Sequence, residues 1–354
     1  MAKVAPVRLA EARVIYLDQC RARAYSRSTI HVYDGTLQRL IRDVGNLQMQ
    51  NITNAHVENW LYGLRTEHRT EQHGRKTNPG VSPATFNQQL SVLRTFFKWA
   101  QGQGYLRHNP TVNLHMIKIQ KKVRLQAKPH ELLSMLEATE YPRDRAYIAL
   151  AINTALRQNE LLRIQCGDVD LAGGTIAVVI SKTGDADEQP ISADLDIELR
   201  RWMKAYQEDI KRPIEDDDYV IPTCISPRIE TRNAWELVYG PRELCPKFPA
   251  QRMEKVVQAA LGAVGLPTYY EGTHTIRRSV ARAYFDYAAK NGGDVAALRE
   301  TAQLLHHSNL QTTERYLGTT AEKEVRNKRL RGKPFMTALV DTSNVVRLAE
   351  RSAK

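Results

Sequence analysis

The sequence predicts a mainly α-helical protein with a small β-sheet or hairpin, divided into an all-helical domain and a mixed α/β domain. Three observations carry this. Apolar residues recur at helical spacing along most of the 354 residues. One clearly β-rich run, Thr175 to Ser181, is bracketed by Gly173-Gly174 and Thr183-Gly184. A basic connector beginning at Asn109-Pro110 separates two stretches, each long enough for a domain.

Taken in order, Leu9 to Ala24 forms the first helix. Ser28-Thr29 opens a second, with Tyr33, Leu37, Leu40 and Ile41 at helical spacing and Gly45 as its stop. Thr53 caps a third that carries Val57, Trp60, Leu61 and Leu64. Residues 67–80 read as a polar, partly basic loop. Ser82-Pro83 is a cap with proline in the first turn. The helix that follows puts Phe86, Leu90, Leu93, Phe97 and Ala100 on one face and leaves Gln88, Arg94 and Lys98 for another. These elements make residues 1–108 a helical unit, and residues 109–128 a linker holding Lys118, Lys121, Lys122, Arg124 and Lys128.

In the second domain, 129–325, helices are predicted over 129–139 and 142–165. The strand 175–181 follows, with a return strand over 189–192. Further helices fall at 194–210, 249–264, 273–290 and 294–306, whereas the Pro-, Asp- and Glu-rich stretch 211–248 resists assignment. A basic, weakly amphipathic tail occupies 326–354.

Charge narrows the partners. Lys and Arg outnumber Asp and Glu by 51 to 39, a net of +12. Residues 1–110 alone hold 15 basic against 7 acidic residues, so the helical unit carries most of the excess. Such a bundle suits a polyanion, and DNA first. No apolar run is long enough to span a bilayer, and the N-terminus lacks the pattern of a signal peptide. The four cysteines (Cys20, Cys166, Cys224, Cys245) form no CxxC pair, so neither a metal site nor a disulfide framework is indicated, and reduced thiols in a cytoplasmic protein are expected.

Five short segments carry chemistry. They are Thr154-Ala-Leu-Arg157-Gln-Asn-Glu160-Leu161, Ser181-Lys182-Thr183-Gly184, His274-Thr-Ile-Arg277, Leu304-Leu-His306-His307-Ser308, and Tyr316 within TTxxY, nine residues after His307. A phosphodiester gains negative charge on its equatorial oxygens as an oxygen attacks it, so a site for that reaction needs fixed cations aimed at those oxygens. Arg157 and Arg277 are suited, being charged and able to fork two N–H donors onto a phosphate. His274 and Arg277, three apart on a helix, share a face. Glu160 lies one turn from Arg157 and would orient it. Tyr316 is a poor nucleophile near its usual pKa of ~10 unless cations lower that value or a base takes the proton.

In this order the segments resemble the arginine box, β-hairpin lysine motif, HxxR box, closing histidine and nucleophile of the tyrosine recombinases, the phage integrase family. SPATFNQQLSVLRTFFKWAQGQGYLRHNP is similar to the end of that family's core-binding domain, and the resemblance spans about residues 8–320. It implies a core-type DNA-binding domain (1–108) and a catalytic domain (129–325) that cut and rejoin double-stranded DNA at specific sites. It also implies attack by Tyr316 to give a 3′-phosphotyrosyl link, with His274 as acid/base, His307 as a phosphate donor and Lys182 delivering a proton to the departing 5′ oxygen. Assembly as a homo-tetramer through a Holliday junction follows, with an accessory DNA-bending or directionality protein and a tail (326–354) exchanged between protomers. No cofactor is implied. Arg94, Lys98, Lys121, Lys122 and Arg124 are the expected DNA contacts. The loop and tail lean toward a phage or mobile-element integrase. A type IB topoisomerase and a catalytically silent DNA-binding relative stand as alternatives. One departure sits inside the motif: His306 occupies a place where the family usually has glycine, which implies a φ below zero or strain, and leaves open which histidine faces the phosphate, with the spacing to Tyr316 favouring His307.

Overall fold

The computed structural model describes residues 6–66, 68–70, 76–119, 124–180, 184–226, 228–229, 238–239, 241–269 and 271–318, with 68–70, 76–79, 228–229, 238–239 and 291 described in backbone alone. The chain divides into two compact units, Met1–Lys122 and Val123–Lys354.

In the first unit, α1 (Leu9–Ala22), α2 (Arg27–Val44), α3 (Asn54–Thr66) and α4 (Pro83–Gly102) surround one core of Leu9, Leu37, Leu40, Trp60, Leu61, Leu90, Phe96 and Phe97. Caps set the ends. Ser26, rather than Ser28, accepts from Thr29 N at the start of α2, Gly45 (φ 93°) stops that helix, and Ser82 accepts from Thr85 N at the start of α4. The two indoles at the core's edge each satisfy their N–H, Trp60 on Asp43 (3.0 Å) and Trp99 on Gln19 (2.8 Å). The expected loop 67–80 contains a short antiparallel pair, β1 (His68–Thr70) and β2 (Lys76–Pro79).

The expected linker is divided between the units. Leu114 is buried in the first core, Asn54 donates to the Pro110 carbonyl, and the Asn87 side chain exchanges two 2.8 Å hydrogen bonds with the backbone of Ile117. Residues 109–119 are therefore anchored to the first unit at Pro110, Leu114 and Ile117. Residues 124–127 belong to the second unit.

That unit holds α5 (Pro129–Glu137), α6 (Pro142–Thr154), α7 (Gln158–Leu161), a sheet in the order β3 (Val169–Asp170), β4 (Thr175–Val179), β5 (Ala186–Pro190), then α8 (Ala193–Ile210). β4 alternates, with Ile176 and Val178 buried, and pairs antiparallel with β5 from Thr175↔Pro190 to Val179↔Ala186. The unassigned stretch 211–248 contains β6 (Pro222–Ile225), β7 (Arg228–Ile229), β8 (Val238–Tyr239) and the start of β9 (Glu243–Pro249). β6 pairs with β9 and β7 with β8. α9 (Glu254–Ala263), α10 (Thr273–Leu304) and α11 (Leu310–Leu317) complete it. α10 covers both helices expected over 273–306, joined across a non-helical Gly293 (φ 80°).

The helix expected over 142–165 breaks at Ala155, which takes a left-handed φ of 51° and ends α6. Alanine is a strong helix former, so nothing local announces the break. α6 buries Ala146, Tyr147, Ile148, Ala149, Leu150 and Ala151, and the turn itself is held by Ala155, packed in a cluster with Ala281 and Phe285 and accepting through its carbonyl from Arg277.

Candidate active site

The left-handed turn at Ala155 makes Arg157 the N-cap of α7. Glu160, whose side chain is fully buried, accepts from the Arg157 backbone N–H (2.8 Å) and from its Nη1 (2.9 Å). One carboxylate thus fixes both the chain and the guanidinium. Glu160 also lies 4.0 Å from Arg277 Nη1, so it is the countercharge between two arginines.

Arg277 is 3% exposed. Its Nη1 donates to the carbonyl of Ala155 and its Nη2 to that of Leu305 at 2.6 Å. This ties the turn before Arg157 to the turn that carries the two histidines. Each Nη keeps a second N–H, and the side chain also hydrogen-bonds Tyr316. Burial, and then the charge of Arg157, bring the Arg277 pKa down to about 10, so it remains cationic at neutral pH.

His274 stands on the first turn of α10 with its side chain exposed. Loss of hydration against the protein, followed by the charges of Arg277, Arg157 and Arg278, lowers its pKa below the usual histidine value. The imidazole is accordingly neutral at pH 7 and able to take a proton.

α11 brings in the tyrosine. Asn309 caps it through Gln311 N (2.8 Å), and Gly318 (φ 74°) closes it. The half-buried Tyr316 donates to the His274 carbonyl at 3.3 Å. Burial raises its pKa, opposed by Arg277, Arg278 and Arg157, so the resting phenol keeps its proton. His307 packs edge-on against the Tyr316 ring (centroids 5.7 Å, 81°) and its Nδ1 lies 3.1 Å from Oγ1 of the buried Thr313. His306 takes φ +47° and meets the hairpin instead, with Nδ1 3.3 Å from Asp187 Oδ2. Of the two outcomes open at that position, the strained one is present.

The geometry therefore joins Arg157, Glu160, His274, Arg277, His307 and Tyr316. Lys182, Lys121 and Lys122 lie outside the described residues. Lys98 and Arg124 are exposed. Arg94, expected on a free face, instead donates to the Leu114 carbonyl, because the packed connector brings that acceptor to it.

Some members had no motif to announce them. Arg278, next to Arg277, donates to the Leu125 carbonyl (2.9 Å) and pairs with Glu271 (2.8 Å) while adding its charge to the field at His274 and Tyr316. Gln126 donates to the Leu317 carbonyl (3.0 Å), and Ser279 Oγ accepts from Ala127 N (2.8 Å), so residues 125–127 are stitched to α10 and α11. The Arg-Arg pair was a visible signal for the first. Gln126 had none.

Among the described residues, Glu215, Asp217 and Asp218 form an acidic cluster that pairs with Lys247 and Arg212. The Arg212 guanidinium, against burial, holds the Asp218 carboxyl below its ordinary range.

Comparison with known proteins bears on what such a site does. The phage integrase family model matches residues 126–323, and the phage integrase N-terminal SAM-like domain matches residues 15–105. The tyrosine recombinase XerC of Alcanivorax borkumensis is 26% identical over 244 residues, 67% of this chain and 69% of the relative. A lambda integrase dimer bound to a COC′ core site shares the fold with a TM-score of 0.59, at 19% identity and covering 86% of this chain and 97% of that one. A lambda integrase tetramer bound to a Holliday junction gives 0.58 at 19% identity, covering 86% and 78%. With its C-terminal unit matched almost end to end across the described residues, and its N-terminal bundle matched separately, the chain belongs to the phage integrase family.

Proposed function

We infer that the protein is a site-specific DNA recombinase of the tyrosine type, cutting and rejoining strands through a covalent link at Tyr316. The observation that carries this reading is the Tyr316 phenol held between Arg277 and the backbone carbonyl of His274, its ring against His307, with Arg157 fixed by Glu160.

In the step proposed, the Tyr316 oxygen attacks phosphorus and the bond to the 5′ oxygen breaks. One P–O bond forms as one is lost, so the ester energy is kept and religation needs no external energy source. His274, neutral at pH 7, takes the phenol proton. Arg157 and Arg277 meet the charge that grows on the non-bridging oxygens, where a preorganised donor is worth ~3 kcal/mol, about two orders of magnitude in rate. His307 adds a further donor. The departing 5′ oxygen receives its proton from Lys182. The raised Tyr316 pKa fits this division of labour, since it keeps the phenol protonated until a phosphate and a base are both in place.

The partner is double-stranded DNA carrying recombination sites, gripped by the basic helical unit and the catalytic unit together in the cytoplasm. Four protomers assemble on two sites, a number matching the lambda integrase tetramer bound to a Holliday junction, with residues 326–354 as the segment that docks on a neighbour. The recombinase reading is favoured over a topoisomerase because the N-terminal bundle matches an integrase domain of its own. Mobile-element integration is the role to which the sequence leans.

The test begins with footprinting on DNA flanking the gene, followed by incubation with a nicked suicide substrate of the protected site. Wild-type protein should form a covalent adduct at the 3′ phosphate. Tyr316→Phe should bind equally and form none; an adduct from that variant, or none from site-bound wild type, would refute the reading.

A further inference from the structure

Threonine in a helix commonly spends its hydroxyl on the carbonyl four residues back, as Thr36, Thr95, Thr154 and Thr301 do here at 2.7–3.0 Å. Thr313, on α11, does not. Its Oγ1 lies 3.1 Å from His307 Nδ1, and among the described residues that hydroxyl has no other hydrogen-bond partner. Thr313 is 0% exposed, whereas Thr312 beside it is exposed. Standing three residues before Tyr316, Thr313 shares its face of the helix.

A buried hydroxyl must give its hydrogen to an acceptor or leave it unpaired, which is costly. With this one partner, Thr313 donates and His307 Nδ1 accepts. The reverse, Nδ1–H donating to Oγ1, would strand the threonine hydrogen in the interior. A neutral imidazole that accepts at Nδ1 carries its proton on Nε2. The ring is oriented by the same contact. The His307 backbone N–H is held by the Ala302 carbonyl (2.9 Å), and its ring stands at 81° to that of Tyr316.

We propose that Thr313 is a positioning residue for His307: by donating to Nδ1 it orients the imidazole and places its proton on Nε2, the nitrogen that then donates to a phosphate oxygen. This inference rests on the recombinase reading above, in which His307 is a phosphate donor.

The test has two arms. In protein labelled with ¹⁵N in its histidine rings, at pH ~8, where histidine is ordinarily neutral, the ring nitrogen shifts report the tautomer. The His307 signals are identified by their loss in His307→Ala. Wild type and Thr313→Ser should carry the proton on Nε2, and Thr313→Val, which keeps the shape but loses the donor, should show a mixture of tautomers. In the second arm, Thr313→Val should slow single-turnover adduct formation by roughly tenfold, part of what a preorganised donor supplies. Thr313→Ser should recover most of the rate, and Thr312→Val should leave it unchanged. In a His307→Ala background, Thr313→Val should add no more than about twofold, since the residue it positions is gone. A wild-type His307 protonated on Nδ1, a Thr313→Val variant as fast as wild type, or equal slowing in both backgrounds would overturn the proposal and leave the recombinase reading intact. Wild-type protein that binds its site yet forms no adduct would bring down both.

Discussion

Each guanidinium of the site is held by a different kind of partner, and this decides what its loss would do. Arg157 leans on the buried carboxylate of Glu160, whereas Arg277 is fastened to two backbone carbonyls. Glu160→Ala would leave two arginines facing each other around a buried void. The expected cost is about 3 kcal/mol of stability, read from the urea midpoint, in addition to lost cleavage. An unchanged midpoint would show that the pair needs no countercharge. The pKa shifts run the other way from a simple active-site guess. His274 is shifted below its usual value and Tyr316 above its own. On the proposed mechanism the resting forms are neutral imidazole and protonated phenol. kcat/KM should therefore hold steady through neutral pH and fall only below the ordinary histidine range, as His274 takes a proton. An acid limb centred above pH 7 would assign the base elsewhere.

At the scale of elements, the site is built by breaks in helices as much as by helices. Ala155 ends α6 so that Arg157 can start α7, His306 turns the chain between α10 and α11, and Gly293 interrupts α10. Only the last is a glycine. Gly293→Ala, at φ 80°, should lose about 1–2 kcal/mol, measurable as a lower thermal midpoint. An unaltered midpoint would mean the break has no conformational demand of its own. The short strap 125–127 is the counterpart of these turns. Its bonds to Arg278, Ser279 and the Leu317 carbonyl fix the end of the tyrosine helix from outside the motif. Gln126→Ala should slow single-turnover cleavage while leaving DNA affinity unchanged, which a filter-binding titration run beside the suicide assay would separate.

At the scale of the whole molecule, charge is concentrated in the N-terminal third, where residues 1–110 hold more than half of the net +12. Binding should weaken steeply with salt, and Lys98→Ala, which removes an exposed cation, should lower the log–log slope by about one. Arg94→Ala should instead lower the thermal midpoint, since that guanidinium is engaged with the Leu114 carbonyl. Removing 326–354 should spare adduct formation on a single site and abolish the four-protomer complex on two, as seen on a native gel. Retention of that complex would exclude the tail as the docking segment.

The sequence by itself determined the amphipathic helices, the cap at Ser82, the β4–β5 hairpin and the order of the catalytic boxes. Each of these rests on interactions within a few residues, and periodicity and capping chemistry report such interactions directly. Helix ends and strand limits were legible to a few residues, as at α1 and β5. What only the tertiary structure decided depends on partners distant in the chain. Ala155 ends a helix that alanine should continue, at a turn held by Arg277 and by packing with Ala281 and Phe285. Arg94 is engaged by a connector that composition marked as a basic linker. Gln126 meets Leu317 across 191 residues. The choice between His306 and His307 is of the same kind. Both are histidines in one short turn, and the left-handed backbone at His306, tied to Arg277 on one side and to the hairpin on the other, directs one to β5 and the other to Tyr316.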